Sequence, residues 1–267
     1  MLATTPKFST QEALGIASRL YNLWGSCNIE NLFGKISSLP SERDQNFKLI
    51  TESGKYVLKV SNSLENRADI EFQNEVLSLL NEKGTINVAK LICTVEGNAI
   101  GMVDGDNGSK HMVRLLTYLP GKPLGACSPK SKQLLFNVGR YFGELDHAMA
   151  HFQHPVADRY LQWDLKHGVS VINAYKNKIL SSERRHIVED ILSDFITNVE
   201  PVLQSLRTSI IHNDGNDYNI LVEEIADEVR EAGLVTGVID FGDMLRTYTV
   251  RNRSLKRVTP SINRQNR

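Results

Sequence analysis

The stretch that decides the fold is IHNDGNDYNILV at residues 211–222, which is followed by VIDFGD at residues 238–243. Short β-type runs are predicted at 210–212, 219–222 and 237–240, with polar turns between them. The first string has the form H-x-D-x-x-x-x-N, and the second contains D-F-G. Because a short hairpin-like connection joins the two strings, we expect their polar side chains to serve one site.

The residue types in these strings suit phosphoryl transfer, which needs neutralised charge and an attacking hydroxyl held in line. Asp214 is predicted to accept or orient the hydroxyl proton. Asn219 and Asp240 are predicted to hold Mg²⁺, which prefers oxygen ligands. His212 is expected to be structural and to hydrogen-bond the loop. Asp243 is a candidate for a further metal-binding or loop-stabilising carboxylate.

Two other interpretations of the first string remain open from the residues alone. Asp214, Asp217 and Asn219 are turn-forming residue types, so the string also fits an ordinary turn. It has a faint likeness to a calcium loop, but the fixed oxygen spacing and the terminal Glu of such loops are missing.

A second candidate group lies upstream, where Lys59 stands in a predicted strand and Glu75 on the helix that follows. A strand lysine on the phosphates, steadied by a helix glutamate, is the other half of a kinase-type site. Glu71 lies one helical turn before Glu75 on the same face, so either could be this glutamate. Taken alone, Lys59 would be an exposed strand lysine.

The polar segment 40–46 occupies the place of a phosphate-covering loop between the first two strands. It lacks the G-x-G-x-x-G pattern of protein kinases. Ser41, Gln45 and backbone N–H groups are candidates for phosphate contacts. An ordinary hairpin loop explains the segment almost as well.

The chain changes character near the breaker cluster LPGKPLG at 119–125. Before it, the patterns predict antiparallel strands with helices at 10–24 and 67–82; after it, they predict helices at 129–150, 168–180 and 183–206. We therefore predict an α+β fold with a β-rich nucleotide-binding lobe at 1–119 and a mainly helical catalytic lobe at 120–250.

Composition narrows the functional classes. The 267 residues are 41% hydrophobic and contain 31 Lys plus Arg against 31 Asp plus Glu, a balance that argues against a nucleic-acid partner. Three scattered cysteines form no disulfide or zinc pattern, which favours a reducing compartment. With no signal pattern and no apolar run of about 18 residues, we expect a cytoplasmic protein with no membrane association. The sequence gives no indication of oligomeric state.

With these residues identified, the chain resembles the aminoglycoside phosphotransferase and choline kinase superfamily, and within it the hydroxylysine kinase group. The supporting strings, besides the two above, are LPSERDQNF at 39–47, YVLKVSN at 56–62 and YLPG at 118–121. At Asn213, many members of the superfamily have Gly.

The resemblance implies a two-lobed, protein-kinase-like fold with the nucleotide in the cleft. It implies that Lys59 and Glu75 serve the phosphates, that Asp214 is the base, and that Asn219 and Asp240 bind Mg²⁺. The co-substrate would be GTP or ATP, and the acceptor a small amino alcohol or amino acid, with 5-hydroxylysine favoured. In the helical lobe, Trp163 and Asp164 are the only candidates for acceptor contacts.

The chain departs from the resemblance after the D-F-G-D string. From residue 245 onward there are seven Lys or Arg and no Asp or Glu, and the hydrophobic spacing ends. We expect this stretch not to fold, with 251–267 a disordered basic tail, and the catalytic lobe to be incomplete. An inactive nucleotide-binding remnant is therefore the main alternative. A protein kinase is disfavoured because the A-P-E string is also missing.

Overall fold

The computed structural model describes residues 5–25, 35–106, 108–128, 130–223 and 233–250. The chain divides into two compact units, Met1–Gly121 and Lys122–Arg267. We call them the N-terminal and C-terminal units. The predicted tail at 251–267 lies outside the described residues.

Helix α1 spans Thr10–Tyr21 and begins at a capping box. The Ser9 hydroxyl accepts the Glu12 backbone N–H (3.2 Å), and the Glu12 carboxylate accepts the Ser9 N–H (2.7 Å). The helix ends three residues before its predicted end because Asn22 adopts a left-handed conformation, with φ of 49°. Asn is one of the few residue types that tolerate this conformation.

The N-terminal unit is built on an antiparallel sheet of six strands in the order β1-β2-β3-β6-β4, with β5 also paired to β6. The strands are β1 (Ile36–Leu39), β2 (Gln45–Ile50), β3 (Lys55–Val60), β4 (Leu91–Ile92), β5 (Gly101–Asp104) and β6 (Lys110–Thr117). All of their pairings are antiparallel. Short turns join β1 to β2, β2 to β3 and β5 to β6, and only antiparallel strands can be joined in this way.

The two faces of this sheet differ in chemistry because side chains alternate along each strand. One face packs on α1 and provides the buried apolar cluster, which includes Phe47, Leu49, Leu58, Val60, Val113 and Leu115. The other face presents a polar row across three strands, where Asn46 of β2 pairs with Lys59 of β3 and Lys59 pairs with Arg114 of β6.

Helix α2 spans Arg67–Lys83, begins at the Asn66 side chain and ends at Gly84, with φ of 62°. Its buried apolar side chains recur at helical spacing and comprise Ile70, Phe72, Val76, Leu77 and Leu80. The helix therefore matches the one predicted over 67–82.

The C-terminal unit contains α3 (Lys132–Met149), α4 (Gly168–Tyr175), α5 (Ser182–Asp194) and α6 (Glu200–Leu203). The single helix predicted at 183–206 is wrong in detail, because a π-helical turn at Phe195–Val199 separates α5 from α6. Pro201 lies in the first turn of α6 and has no backbone N–H to donate to the preceding turn, which fits the interruption at this point.

Two small antiparallel sheets complete this unit. One has the order β10 (Val235–Val238), β9 (Ile220–Val222) and β7 (Lys122–Pro123). The other pairs β8 (Thr208–Ile211) with β11 (Leu245–Tyr248). The expectation that the chain stops folding at residue 245 is therefore wrong. Leu245 and Thr247 alternate inward on β11 and are buried, so pairing with β8 stabilises a strand whose own sequence is polar and basic.

Within the described ranges, none of the helices is both long enough and apolar enough to cross a membrane.

Candidate active site

The carboxylate of Asp214 lies in the loop between β8 and β9 and is held at both oxygens. The Asn216 side-chain N–H donates to its Oδ1 and the Asn219 side-chain N–H to its Oδ2, both over 2.8 Å. The Asn219 amide also donates to the Asp214 backbone carbonyl at 3.0 Å. These bonds set the direction of the carboxylate before any ligand arrives.

Asn216 has a second role as a turn former. Its side-chain oxygen accepts the backbone N–H groups of Tyr218 (2.8 Å) and Asn219 (3.2 Å). This is the behaviour that favours Asn in tight turns. The sequence analysis did not single out Asn216. The available signal was an Asn within a predicted turn, because an Asn side chain can accept the backbone N–H two residues later and so form an Asx turn.

His212 is fully buried and joins the Asp214 loop to the strand that precedes Asp240. Its Nε2–H donates to the Ile239 carbonyl (3.1 Å), and its Nδ1 accepts the Asp214 backbone N–H (3.3 Å). Both contacts together require the neutral imidazole. Burial lowers the pKa of His212 to about 4, outweighing the opposing effects of the Asp240 carboxylate and the Ile239 carbonyl.

Aromatic rings fix this histidine from two sides. The Phe241 and Phe142 rings lie edge-on to it at centroid distances of 4.7 and 6.3 Å. Phe142 also leaves no room beside the loop, because a Cβ added to Gly215 would lie 2.6 Å from its Cζ atom. Glycine at 215 is thus a packing requirement of the Asp214 loop.

Asp240 follows β10 and starts a 3-10 turn at Phe241–Asp243. Its carboxylate is exposed, and its backbone is left-handed, with φ of 64°. The Ile239 N–H donates to the Asn219 carbonyl at 2.9 Å, so Asp240 lies one residue from a direct bond to Asn219. Asp243 ends the turn and is half-buried.

The donor set fits a hard cation. Asn219 uses its N–H group on Asp214, which leaves its Oδ1 for a ligand, and Asp240 offers carboxylate oxygens. Among the described residues, no group of three or more His, Cys, Asp or Glu side chains could hold a metal ion. A site with few protein oxygens suits Mg²⁺, which usually keeps phosphate oxygens and waters as its other ligands.

In the N-terminal unit, Arg114 joins the polar row of the sheet to α2. Arg114 is 3% exposed, and its guanidinium donates to the side-chain oxygens of Asn74 (2.9 Å) and Gln73 (2.8 Å). Directly opposite residues of an antiparallel pair have side chains on the same face. Lys59, opposite Arg114, therefore points to the face that α2 covers, where Glu75 follows Asn74.

The two candidate glutamates of α2 differ in their surroundings. Glu71 forms an ion pair with Arg67 one turn earlier, at 2.8 Å on the exposed surface. Because Glu71 is engaged with Arg67, Glu75 is the better candidate for the helix glutamate that the sequence predicts.

A known protein family matches most of this chain. The model of the phosphotransferase enzyme family (APH) matches residues 35–248, which include every residue of the arrangement above. The chain belongs to this family. Residues before 35 and after 248 lie outside the match.

Individual relatives narrow the likeness. The chain is 35% identical to mouse hydroxylysine kinase over 249 residues, which is 84% of this chain and 65% of the mouse protein. It is 34% identical to the hydroxylysine kinase of Xenopus laevis, covering 83% of this chain and 64% of that protein. The chain thus spans about 65% of the length of these two relatives.

Solved structures of phosphotransferases share the fold. An amicoumacin kinase in complex with AMP-PNP and Ca²⁺ superposes with a TM-score of 0.66 at 17% identity, over 93% of this chain and 68% of the other. The GDP complex of an aminoglycoside 2'-phosphotransferase gives 0.62 at 15% identity, over 92% and 76%. These likenesses confirm the predicted α+β, kinase-like fold.

Gln45, predicted to lie in the phosphate loop, is instead the first residue of β2. Its side-chain amide donates to the Phe8 carbonyl and accepts the Phe8 N–H, each at 2.7 Å. Gln45 thus fixes the segment before α1 to the sheet, and we do not include it among the phosphate-binding groups. Ser41 is exposed in the turn between β1 and β2.

The backbone of Asn213 adopts a conformation that favours glycine. Its φ is 67°, a left-handed value that glycine adopts freely and Asn tolerates. The residue is 3% exposed, and neither Oδ1 nor Nδ2 of its side chain has a hydrogen-bond partner among the described residues.

Of the two candidates for acceptor contacts, Asp164 is structural. It is 2% exposed, and its Oδ1 accepts the Thr247 hydroxyl (2.8 Å) and the Lys166 backbone N–H (3.2 Å). The proposed acceptor contact of Asp164 is therefore wrong, because a buried carboxylate engaged by β11 is closed to a ligand. Trp163 is half-exposed.

Proposed function

We propose that this chain is a small-molecule kinase that transfers the γ-phosphate of GTP or ATP to a hydroxyl group. The acceptor is a small amino alcohol or amino acid, with 5-hydroxylysine favoured. The observation that supports this most directly is the Asp214 carboxylate, held at both oxygens by Asn216 and Asn219. Pre-set groups of this kind are the main contribution a protein makes to phosphoryl transfer.

Asp214 is the proposed catalytic base. Its bonds with Asn216 and Asn219 favour the ionised carboxylate, the form that can accept a proton. The acceptor hydroxyl would lie within hydrogen-bond reach of Asp214, and its oxygen would attack the γ-phosphorus as the bond to the β-phosphate oxygen breaks.

The proposed metal ligands are the Oδ1 of Asn219 and the carboxylate of Asp240. A bound Mg²⁺ would supply positive charge against the phosphate oxygens. The His212 bonds to Asp214 and Ile239 support this assignment, because they tie the base loop to the residue next to Asp240.

The phosphate-binding groups proposed in the N-terminal unit are Lys59, Glu75 and Ser41. Lys59 would bind the phosphates as a cation, and Glu75 would orient Lys59. The placement of both on the α2 side of the sheet supports this pairing. Ser41 would contribute a hydroxyl from the turn between β1 and β2.

The choice of 5-hydroxylysine rests on four curated relatives, each named as a hydroxylysine kinase, at 31–35% identity. This acceptor has both the hydroxyl that the chemistry requires and an amine. The proposed nucleotide co-substrate is either GTP or ATP.

We propose a cytoplasmic location because two cysteines are not in disulfide bonds. Cys93 and Cys127 are free thiols, which persist in a reducing compartment.

The deciding experiment measures phosphate transfer from radiolabelled GTP and ATP to 5-hydroxylysine, with lysine as the acceptor that lacks the hydroxyl. We expect labelled product from 5-hydroxylysine and none from lysine. Asp214→Asn should lower kcat by about 10²-fold or more, as loss of a general base does. Asp217→Asn, in the same loop, is the matched control and should retain activity.

Failure of the wild-type chain to label any amino alcohol, while still binding nucleotide, would replace the kinase assignment with the nucleotide-binding remnant. Full activity in Asp214→Asn would remove Asp214 from the mechanism.

A further inference from the structure

The turn that follows Asp240 is held by an arginine from a distant part of the chain. Arg159 lies just after a 3-10 turn at Pro155–Asp158. Its Nε donates to the Met244 carbonyl at 3.1 Å and its Nη2 to the same carbonyl at 2.8 Å. The Nη2 group also donates to the Gly242 carbonyl. One guanidinium thus binds two carbonyls within the D-F-G-D-M string.

The Gly242 and Met244 carbonyls belong to the 240–244 backbone, whose local contacts stabilise its conformation only weakly. Asp240 is left-handed, which costs an L residue free energy. The turn itself closes with a long Met244 N–H to Phe241 carbonyl contact of 3.5 Å. Such a conformation persists only when its surroundings determine it.

Hydrogen bonds from other parts of the chain hold the backbone both before and after Asp240. On the preceding side, the Ile239 N–H is bound to the Asn219 carbonyl. On the following side, Arg159 binds Gly242 and Met244. Because a guanidinium is planar and its donors have fixed directions, it holds two carbonyls in a set relative position, which a lysine ammonium does not.

We propose that Arg159 is a positioning residue for the divalent cation: it holds the 241–244 turn so that the Asp240 carboxylate faces its ligand. This inference rests on the proposed function, in which Asp240 is a metal ligand. Groups that orient a ligand in this way commonly change metal affinity by about 10- to 100-fold when they are removed.

Lys166, which lies with Arg159 in the connection between α3 and α4, provides a matched control. Lys166 donates to the Arg246 carbonyl on β11 at 2.8 Å, and its Nζ lies 5.6 Å from the centre of the Tyr248 ring. Lys166 therefore binds β11 from the same connection between α3 and α4 that carries Arg159, and it does not contact the 241–244 turn. Lys166→Met removes the hydrogen bond and keeps the apolar stem.

The test measures Mn²⁺ binding to the full chain by electron paramagnetic resonance, with AMP-PNP and GMP-PNP present in turn. Arg159→Gln should raise the Kd for Mn²⁺ about tenfold or more, as removal of an orienting group does. Arg159→Lys should fall between wild type and Arg159→Gln, because it keeps the charge and loses the fork. Lys166→Met should remain within about twofold of wild type. Thermal unfolding of each variant identifies those that remain folded.

The proposal is overturned if folded Arg159→Gln and Arg159→Lys bind Mn²⁺ as wild type does. It is also overturned if Lys166→Met weakens binding equally, or if Asp240→Asn leaves binding unchanged. Turnover is measured separately. Wild type that binds Mn²⁺ but transfers no phosphate would contradict the proposed kinase activity and leave the positioning role of Arg159 standing.

Discussion

Two residues of the candidate site have left-handed backbones although neither is glycine. Asn213 precedes Asp214 with φ of 67°, and Asp240 has φ of 64°. Such a conformation costs about 1–2 kcal/mol for an L residue. Asn213 follows His212, whose Nε2 bonds the Ile239 carbonyl of the other loop, and Asp240 follows Ile239, whose N–H bonds the Asn219 carbonyl. Tertiary contacts therefore maintain the local strain where the chemistry is proposed.

The contact between Gly215 and Phe142 predicts the effect of one added methyl group. Gly215→Ala would place a Cβ 2.6 Å from Phe142, so ring and loop must move apart. We expect a loss of about 1–3 kcal/mol in the free energy of unfolding, typical of overpacking. We also expect lower kcat, because Asp214 is adjacent. Urea denaturation and the transfer assay measure the two effects.

Gly139→Ala is the matched control, since the added Cβ in the exposed middle of α3 would meet no atom within 4 Å apart from its chain neighbours and the backbone of its own helix. It should stabilise the protein by up to about 1 kcal/mol, because alanine favours helix more than glycine does. Equal stability of both variants would show that Phe142 yields at no cost.

The burial of His212 predicts a pH dependence of stability. Its folded pKa is about 4, below the usual 6.5, so the unfolded chain binds a proton that the folded chain does not between these values. Its contribution is fully present above pH 6.5 and is lost as pH falls toward 4. From pH 7 to pH 5 the loss should be about 2 kcal/mol.

Urea denaturation at pH 7 and pH 5 checks this, with His212→Gln as the variant that cannot titrate. The groups facing the imidazole are the Asp240 carboxylate, the Ile239 carbonyl and two aromatic rings. The carboxylates elsewhere titrate in both proteins, so the difference between their pH profiles isolates His212. Parallel profiles would contradict the prediction.

At the scale of elements, α2 is joined to the sheet by a buried charge as well as by apolar packing. Arg114 of β6 donates to two neutral side-chain oxygens, those of Gln73 and Asn74. Because both acceptors are buried, their loss of a donor is costly. The junction places Lys59 and α2 on one face of the sheet.

Arg114→Met should therefore destabilise the chain by about 2–4 kcal/mol, since two charge-assisted hydrogen bonds are removed and their acceptors stay buried. It should also raise the KM for nucleotide, because α2 bears Glu75. Chemical denaturation and steady-state kinetics measure these effects.

Arg67→Gln is the control on the same helix. It removes the exposed ion pair with Glu71 and should cost less than about 0.5 kcal/mol. Similar stability of Arg114→Met and Arg67→Gln would refute the structural role of the buried arginine.

At the scale of the whole molecule, the chain comprises two compact units, and the proposed ligand groups occur in both. A ligand that binds only the folded state stabilises it by mass action. At a hundred times its Kd, Mg·GTP or Mg·ATP should add about 2.7 kcal/mol and raise the unfolding midpoint.

Thermal unfolding with each nucleotide checks this, with EDTA as the metal-free control and Lys59→Ala as the variant expected to lose the shift. The nucleotide that gives the larger shift is the favoured co-substrate. An unchanged midpoint with both nucleotides would contradict nucleotide binding by this chain.

The sequence by itself determined the features encoded in local spacing. The capping box of α1, the alternation of the strands and the two polar strings each depend on residues a few positions apart. Helical and strand periods, turn chemistry and the H-x-D-x-x-x-x-N spacing therefore indicated the fold class and the candidate site residues. The comparisons confirm the fold and the family.

Only the tertiary structure decided which distant groups meet. Gln45 binds Phe8 across 37 residues, and Arg159 binds the 242–244 backbone across more than 80. The strand at Leu245–Tyr248 exists because β8 supplies its hydrogen-bond partners, although its own pattern predicts no structure. A polar side chain can form an equivalent hydrogen bond with many different partners. Its neighbours in the sequence therefore do not specify its partner, which is decided only when the chain folds.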